Sequence, residues 1–193
     1  AQGYGPVEHL VVDGGSTDGT VDLLAERAEH LTAWLSAPDR GISDAFNRGL
    51  GLARGEIIGI LNADDWYEPD TVARVVDALG DHPEAGIACG RLRYWRGDRP
   101  DVEFPSQPER LGVDMTVNHP TMFLRRSVYA RIGVFRLDYR LAMDYELALR
   151  AQRAGVGFVS LDRVLANMSW EGASDTRWRE TLVEVARAVR LHH

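Results

Sequence analysis

The amino-acid sequence predicts an α/β fold in which helices flank an open, mainly parallel sheet. Short apolar segments of strand length alternate with amphipathic segments of helix length, and several of the strand segments end in clusters of Asp, Gly and Ser. Such alternation is typical of βαβ units, whose crossover helices join parallel strands. No repeat or linker divides the sequence, so we expect residues 1–193 to form a single domain.

The first half of the chain predicts three strands and three helices. The strands are expected at residues 7–12, 32–36 and 56–61, and the helices at residues 21–30, 43–53 and 69–80. Ser43 is expected to cap the second helix, because its hydroxyl can accept a hydrogen bond from a free helical amide. Pro69 suits the first position of the third helix, where no amide donor is needed.

The second half predicts two more strands, at residues 87–94 and 156–161, and helices at residues 126–132, 141–154 and 176–191. Between them, residues 96–118 hold three prolines and show weak periodicity. We expect this segment to form a long irregular excursion.

The composition excludes several classes of protein. The formal net charge of -7 argues against a nucleic-acid partner, since affinity for a phosphate backbone needs clustered Lys and Arg. Cys89 is the single cysteine, so no internal disulfide can form and a reducing compartment is compatible. No apolar run reaches the length of a membrane span and no signal peptide is visible, which predicts a cytoplasmic location.

An acidic cluster, NADDW at residues 62–66, directly follows the apolar run IIGIL at residues 57–61. Two adjacent carboxylates at the end of a buried strand are costly unless a positive group compensates them. Carboxylate oxygens suit Mg²⁺ or Mn²⁺, which commonly bridge protein carboxylates to substrate phosphates. Helix capping explains Glu68 and Asp70, but it explains Asp64 and Asp65 poorly, so the pattern favours metal or ribose binding by that pair.

The glycine-rich loop DGGSTDGT at residues 13–20 follows the first predicted strand. It permits a tight turn into a helix and close approach of a ligand to the backbone. Asp13 would repel a phosphate and suits hydrogen bonds to a base or ribose instead. A well-capped turn explains the same residues, and the loop does not match a phosphate-binding P-loop.

Two further segments carry charged residues at helix starts. In PDRGISDAFNRG at residues 38–49, the guanidinium of Arg40 can pair with a carboxylate or contact a nucleotide. In LAMDYELALR at residues 141–150, Asp144 either favours the helix dipole or acts as a general base.

Together these four segments resemble the inverting glycosyltransferases of family 2, which adopt the GT-A fold, a Rossmann-like α/β architecture. The resemblance extends from residues 7–20 to residues 170–174, and its most specific parts are residues 55–65 and 143–147. The segment HPTMFLRRS at residues 119–127 is also similar to the family. The order and spacing of these segments make the match strong.

The resemblance implies an enzyme that moves a sugar from a nucleoside-diphosphate sugar to an acceptor hydroxyl, in polysaccharide or glycolipid synthesis. Asp13 would contact the nucleotide base, and Asp39 with Arg40 would line the same pocket. The acceptor would be a saccharide or a lipid-linked molecule. Peripheral association with the inner face of the membrane and homo-oligomerisation are left open.

The resemblance also implies a divalent cation, Mn²⁺ or Mg²⁺, at the acidic cluster. Asp64 would approach the ribose or the metal, and Asp65 would ligate the metal that bridges the diphosphate. Asp144 would deprotonate the acceptor hydroxyl, which attacks the anomeric carbon from the face opposite the leaving group. Trp66 and Tyr67 either stack on a sugar or pack internally.

The sequence departs from the family pattern in three ways. Gly14 stands where many relatives carry a second Asp, so base recognition rests on Asp13 or on backbone groups. Asn62 replaces the first Asp of the common Asp-x-Asp pattern. The chain also begins where the second strand of the family is expected, which predicts that the first strand-helix unit is missing and that residues 10–12 expose apolar surface. We expect an isolated chain of this kind to be poorly stable or to self-associate, and a cooperative melt of a clean monomer would contradict this.

Two alternatives remain beside the enzyme. One is a non-catalytic nucleotide-binding or interaction module with the same fold, and the other is a nucleotidyltransferase with a similar sheet and acidic site. Release of nucleoside diphosphate in the presence of Mn²⁺ distinguishes them from a glycosyltransferase.

Overall fold

The computed structural model describes residues 2–170 and 177–192. Two expectations fall partly on the remaining residues: the family-like segment at residues 171–174 and the start of the last helix at Thr176 lie outside the described residues. Within the described ranges, no helix is both long enough and apolar enough to cross a membrane.

Strands and helices follow one another in the predicted order, with additional strands between them. The helices are α1 (Thr20–Glu26), α2 (Ile42–Leu52), α3 (Thr71–Asp81), α4 (Arg126–Ile132), α5 (Met143–Arg153) and α6 (Trp178–His192). The strands are β1 (Leu10–Asp13), β2 (Ala33–Ser36), β3 (Ile57–Gly59), β4 (Trp66–Tyr67), β5 (Ala85–Arg96), β6 (Arg99–Phe104), β7 (Phe123–Arg125) and β8 (Gly157–Ser169).

The predicted α/β class is confirmed, while the strand pairing is more antiparallel than expected. The parallel pairs are β1–β2 and β5–β8. In the six-stranded sheet, ordered β3-β7-β5-β8-β4, the other neighbours are antiparallel, and β6 also pairs with β5. The antiparallel pairs arise from the path of the chain after β5. The chain turns back in a hairpin to form β6 and then continues in the same direction to form β7, which pairs with the same edge of β5.

Hydrophobic residues fill both faces of the six-stranded sheet. On one face α5 buries Leu147, Ala148 and Ala151. On the other face α3 packs Val75 and Leu79 into a smaller cluster. The sheet is therefore covered by helices on both sides, which leaves its strand ends and the adjoining loops for binding.

Three local expectations are wrong. Ser43 does not cap α2: Gly41 holds that position, and the Ser43 hydroxyl donates to the carbonyl of Tyr139 at 3.1 Å. Pro69 precedes α3, which begins after Asp70. The expected irregular excursion contains strand β6 and a 3₁₀ turn (Pro108–Arg110), because the hairpin partner β5 satisfies the backbone of residues whose own pattern is weak.

Candidate active site

The acidic cluster forms a turn between β3 and β4. The amide of Asp65 donates to the carbonyl of Asn62 at 3.2 Å, which closes the turn. The Asp64 side chain is exposed, whereas Asp65 is only 8% exposed. Asp65 is buried because it immediately precedes β4, which pairs with β8 in the sheet.

The carboxylate of Asp65 is poorly compensated by the protein. Its Oδ2 lies 3.4 Å from the Asn62 side-chain nitrogen, and its Oδ1 is buried with no hydrogen-bond partner among the described residues. Burial, with a smaller contribution from the charge of Asp64, raises the pKa of Asp65 to about 7. A buried carboxylate oxygen without a donor fits a site that a cation completes.

The aromatic residues after Asp65 differ in accessibility. Tyr67 is partly buried, and its ring packs on Phe123 at a centroid distance of 5.1 Å. The hydroxyl of Tyr67 is buried and has no partner among the described residues, and burial raises its pKa. Trp66 is 42% exposed, and the centre of its ring lies 5.5 Å from that of Trp95. Packing therefore accounts for Tyr67, while Trp66 keeps an accessible face.

Asp13 is the last residue of β1, and its carboxylate organises the glycine-rich loop. It accepts the amides of Gly15 at 2.9 Å and Ser16 at 3.0 Å, and the hydroxyls of Ser16 at 2.5 Å and Ser36 at 2.6 Å. These bonds, led by the two hydroxyls, hold the pKa of Asp13 well below its usual range. Both oxygens of Asp13 are thus already used within the protein, as expected of a well-built turn.

Asp39 lies directly against Gly14. A Cβ atom built on Gly14 would stand 2.7 Å from Oδ2 of Asp39, which is closer than real contacts allow. The other oxygen, Oδ1, accepts the amide of Gly41 at 2.8 Å. The carboxylate of Asp39 therefore occupies the space beside the loop that any side chain at position 14 would need.

Arg40 and Arg48 both pair with Asp44, which the sequence did not single out as a site residue. Asp44 is 6% exposed and accepts from the guanidinium groups of Arg40 at 2.9 Å and Arg48 at 3.1 Å. Hydrogen bonds from Arg40 hold the pKa of Asp44 low. The spacing of four residues on either side of Asp44 was a signal for these ion pairs.

Asp144 lies in the first turn of α5, where its charge acts on His119. Its Oδ1 accepts the amide of Tyr145 at 2.8 Å. Burial lowers the pKa of His119, and the charge of Asp144 acts on it in the opposite direction. The imidazole ring stacks on Phe46 of α2, with a centroid distance of 5.4 Å and an interplanar angle of 20°.

These interactions connect most of the predicted site residues in one series, which runs from the loop after β1 through α2 to the start of α5. Asp39 links the loop after β1 to the start of α2, and Phe46 of α2 stacks on His119, on which the charge of Asp144 acts. The acidic pair follows Ile60, which packs against the same core cluster as Phe46. No described contact joins Asp65 directly to Asp144.

A charged groove of about 350 Å³ lies on the α3 side of the sheet, apart from this series. Arg93 bridges Glu68 at 3.0 Å and Glu103 at 2.9 Å there, and Arg91 pairs with Asp162 at 2.6 Å. Because its charges are paired with one another, the groove does not offer the uncompensated carboxylate found at Asp65.

The described residues contain no group of three or more His, Cys, Asp or Glu side chains placed to hold a metal ion. An all-protein metal cage is therefore absent from these parts of the chain. Mg²⁺ and Mn²⁺ do not need one where substrate phosphates and water complete the coordination of one or two carboxylates.

The fold is that of the GT-A glycosyltransferases. S. aureus TarS 1-349 in complex with UDP-GlcNAc superposes with a TM-score of 0.78 at 18% identity, covering 99% of this chain and 59% of that one. The mannosyltransferase PcManGT from Pyrobaculum calidifontis, in complex with GDP-Man and Mn²⁺, gives a TM-score of 0.74 at 25% identity, covering 98% of this chain and 57% of that one.

The chain belongs to glycosyl transferase family 2, whose family model matches residues 1–133. An uncharacterized glycosyltransferase of Mycobacterium tuberculosis is 37% identical over 157 residues, which are 78% of this chain and 60% of the relative. A PGL/p-HBAD biosynthesis glycosyltransferase of Mycobacterium bovis is 34% identical over 158 residues, or 77% of this chain and 59% of the relative. This chain thus spans about three fifths of the length of these curated relatives.

Proposed function

We propose that this protein transfers a sugar from a nucleoside-diphosphate sugar to an acceptor hydroxyl, with inversion at the anomeric carbon. One observation carries the proposal: Asp65, in the turn between β3 and β4 beside Asp64, has a buried carboxylate oxygen without a partner among the described residues. In a member of this family, such an oxygen in the loop that follows a strand fits the binding of a metal and a diphosphate.

The residues present fit a divalent cation, Mn²⁺ or Mg²⁺. Asp65 would hold it, with Asp64 next to it, and the exposed carboxylate of Asp64 is also suited to the ribose. When bound, such an ion offsets the charge that develops on the departing diphosphate. The Mn²⁺ in the complex of PcManGT supports this assignment.

Asp144 is the proposed general base. One of its oxygens is held by the amide of Tyr145, which fixes the side chain in the first turn of α5 while the second oxygen can accept the proton of the acceptor hydroxyl. As that proton is removed, the hydroxyl oxygen forms the new glycosidic bond to the anomeric carbon, whose bond to the nucleoside diphosphate breaks. The charge of Asp144 acts on His119, whose ring is held by stacking on Phe46.

The base-binding pocket is proposed around the loop after β1. The carboxylate of Asp13 is already saturated by four donors, which supports a role in shaping the loop that meets the base. Asp39 keeps its Oδ2 beside Gly14, and Arg40 is 72% exposed although it pairs with Asp44. These two side chains are therefore the stronger candidates for direct contact with the nucleotide.

We extend the proposal to the acceptor class. A saccharide or a lipid-linked molecule fits the activity, and relatives named for PGL/p-HBAD biosynthesis and for chondroitin synthesis support glycan assembly. Membrane association and self-association stay predictions.

Differential scanning fluorimetry with a panel of UDP- and GDP-sugars, with and without Mn²⁺, tests the donor site. The proposal expects one donor class to raise the melting temperature only in the presence of the metal, because a ligand that binds the folded state stabilises it. Release of nucleoside diphosphate with the same donor then tests turnover.

Asp144→Asn separates catalysis from binding. We expect this variant to bind the donor as the parent does and to lose turnover by a factor of about 100 or more, since it lacks the base. Asp114→Asn, which changes an exposed carboxylate between β6 and β7, is the matched control and should keep full turnover. Full turnover in Asp144→Asn would refute the assigned base, and donor binding without any turnover in the parent would favour the non-catalytic alternative.

A further inference from the structure

The C-terminal helix α6 holds the start of α5 through one carboxylate. The Oε2 atom of Glu184 accepts the amides of Arg140 at 3.0 Å, Leu141 at 2.9 Å and Ala142 at 2.9 Å. Its Oε1 atom accepts the amide of Arg140 as well, at 3.0 Å. Three consecutive amides that converge on one carboxylate form an anion-binding nest, and this nest immediately precedes the first residue of α5.

Two further contacts join α6 to the same region. Arg187 donates to the carbonyl of Asp138 at 3.1 Å and to its carboxylate, and its guanidinium lies 4.6 Å from the ring centre of Tyr139. Towards the end of α6, the His192 ring lies 2.9 Å from the carboxylate of Glu146, a residue of the first turn of α5 that has no exposed surface. Helix α6 therefore contacts residues on both sides of Asp144 in the sequence.

We infer that Glu184 is a positioning residue for the base of the transfer reaction, an inference that depends on the proposed function of Asp144. Ala142 is the residue before α5, and Asp144 is the second residue of that helix. Because Glu184 fixes the amides of residues 140–142, it fixes the direction in which α5 begins. The orientation of the Asp144 carboxylate follows from that direction.

The nest suits a carboxylate. Each oxygen of Glu184 accepts, whereas glutamine would present one accepting oxygen and one amide nitrogen that donates. In Glu184→Gln the amide oxygen can replace Oε2, but the amide nitrogen then takes the place of Oε1 and faces the Arg140 amide, which is another donor. The bonds to the amides of residues 140–142 also lose the negative charge that strengthens them. The start of α5 would then become less ordered while the donor pocket after β1 would be unaffected.

The test compares Glu184→Gln with the parent in three measurements, using the donor that the fluorimetry panel identifies. Hydrogen exchange of a peptide covering residues 140–142 should become faster, because these amides lose protection. At saturating substrates, kcat should fall by a factor of about 10 to 100, since small displacements of a catalytic group have effects of this size. The Kd for the donor should stay unchanged.

Two variants provide controls. Glu180→Gln alters an exposed residue of the same helix, whose carboxylate pairs with Arg177, and it should change none of the three measurements. Glu184→Asp keeps the charge on a shorter side chain, and it should retain more turnover than Glu184→Gln. If Glu184→Gln does not fold, Glu184→Asp is judged by the same criteria.

The outcomes distinguish this inference from the proposed function. If Asp144→Asn is inactive but the Glu184 variants keep the parental kcat, Glu184 does not position the base. An equal loss of donor affinity and kcat would likewise overturn the inference, because it would indicate general damage. If Asp144→Asn is fully active, it is the proposed base that fails.

Discussion

Replacing Asp65 by Asn should stabilise the metal-free protein at pH 8. The parent must bury a charged carboxylate, and one of its oxygens has no partner among the described residues. Asn has nearly the same shape and carries no charge, so the variant avoids most of that desolvation cost. The metal that is proposed to compensate the charge is removed with EDTA in this experiment.

The magnitude follows from the pKa of Asp65, which rises from 3.8 to about 7 in the folded protein. Between these two values the folded state binds more protons than the unfolded state, so stability falls as the pH increases through this window. Each pH unit is worth about 1.4 kcal/mol, which gives at most about 4 kcal/mol above pH 7. Contact of Asp65 with some water reduces this, and we expect about 2–4 kcal/mol.

Urea unfolding in EDTA at pH 5 and pH 8 measures the effect. Asp65→Asn should unfold at higher urea concentration than the parent at pH 8, and the difference should shrink at pH 5. Asp77→Asn, a change at an exposed position of α3, controls for the loss of one negative charge. If Asp65→Asn is no more stable than Asp77→Asn at pH 8, the carboxylate of Asp65 is not the uncompensated group that its surroundings indicate.

Three glycine substitutions test other parts of the fold. Gly14→Ala would place a methyl group 2.7 Å from Oδ2 of Asp39, so it should displace that carboxylate and weaken donor binding, measured by calorimetry, with little change in stability. Gly59→Ala should destabilise the protein by about 1–3 kcal/mol in urea unfolding, because its methyl group would lie 2.4 Å from the ring of Phe123. Gly80→Ala meets no atom within 4 Å and should instead stabilise α3 by about 0.5–1 kcal/mol. Unchanged donor affinity in the first variant, or similar stabilities in the other two, would contradict these assignments.

The sequence predicted the alternating order of elements well, because period and composition are local properties. Residues 126–132 were predicted as a helix with the bounds that α4 has. Strands β4 and β7 were missed, since they have two and three residues and depend on partners in β8, β3 and β5. No local pattern reports such pairing.

The candidate site, like the fold, is predictable from the sequence only in part. The residues that carry the family resemblance are identifiable from their motifs, but their burial is not. Asp64 and Asp65 are adjacent and chemically equal in sequence, yet one is exposed and the other buried. No sequence pattern indicates that Glu184 belongs to the site, since its partners are backbone amides of residues 140–142, more than 40 positions earlier.

The parallel pair β5–β8 has a consequence for how the protein is assembled. Arg91 of β5 and its ion-pair partner Asp162 of β8 are 71 positions apart, whereas the hairpin of β5 with β6 needs only a short turn. Closing the longer loop costs more chain entropy, so this step is expected to be slow. During synthesis the hairpin can form early, and the opposite edge of β5 then stays uncovered until α4, α5 and β8 have left the ribosome. An uncovered strand edge pairs readily with other chains, which makes this interval the point of greatest risk of aggregation.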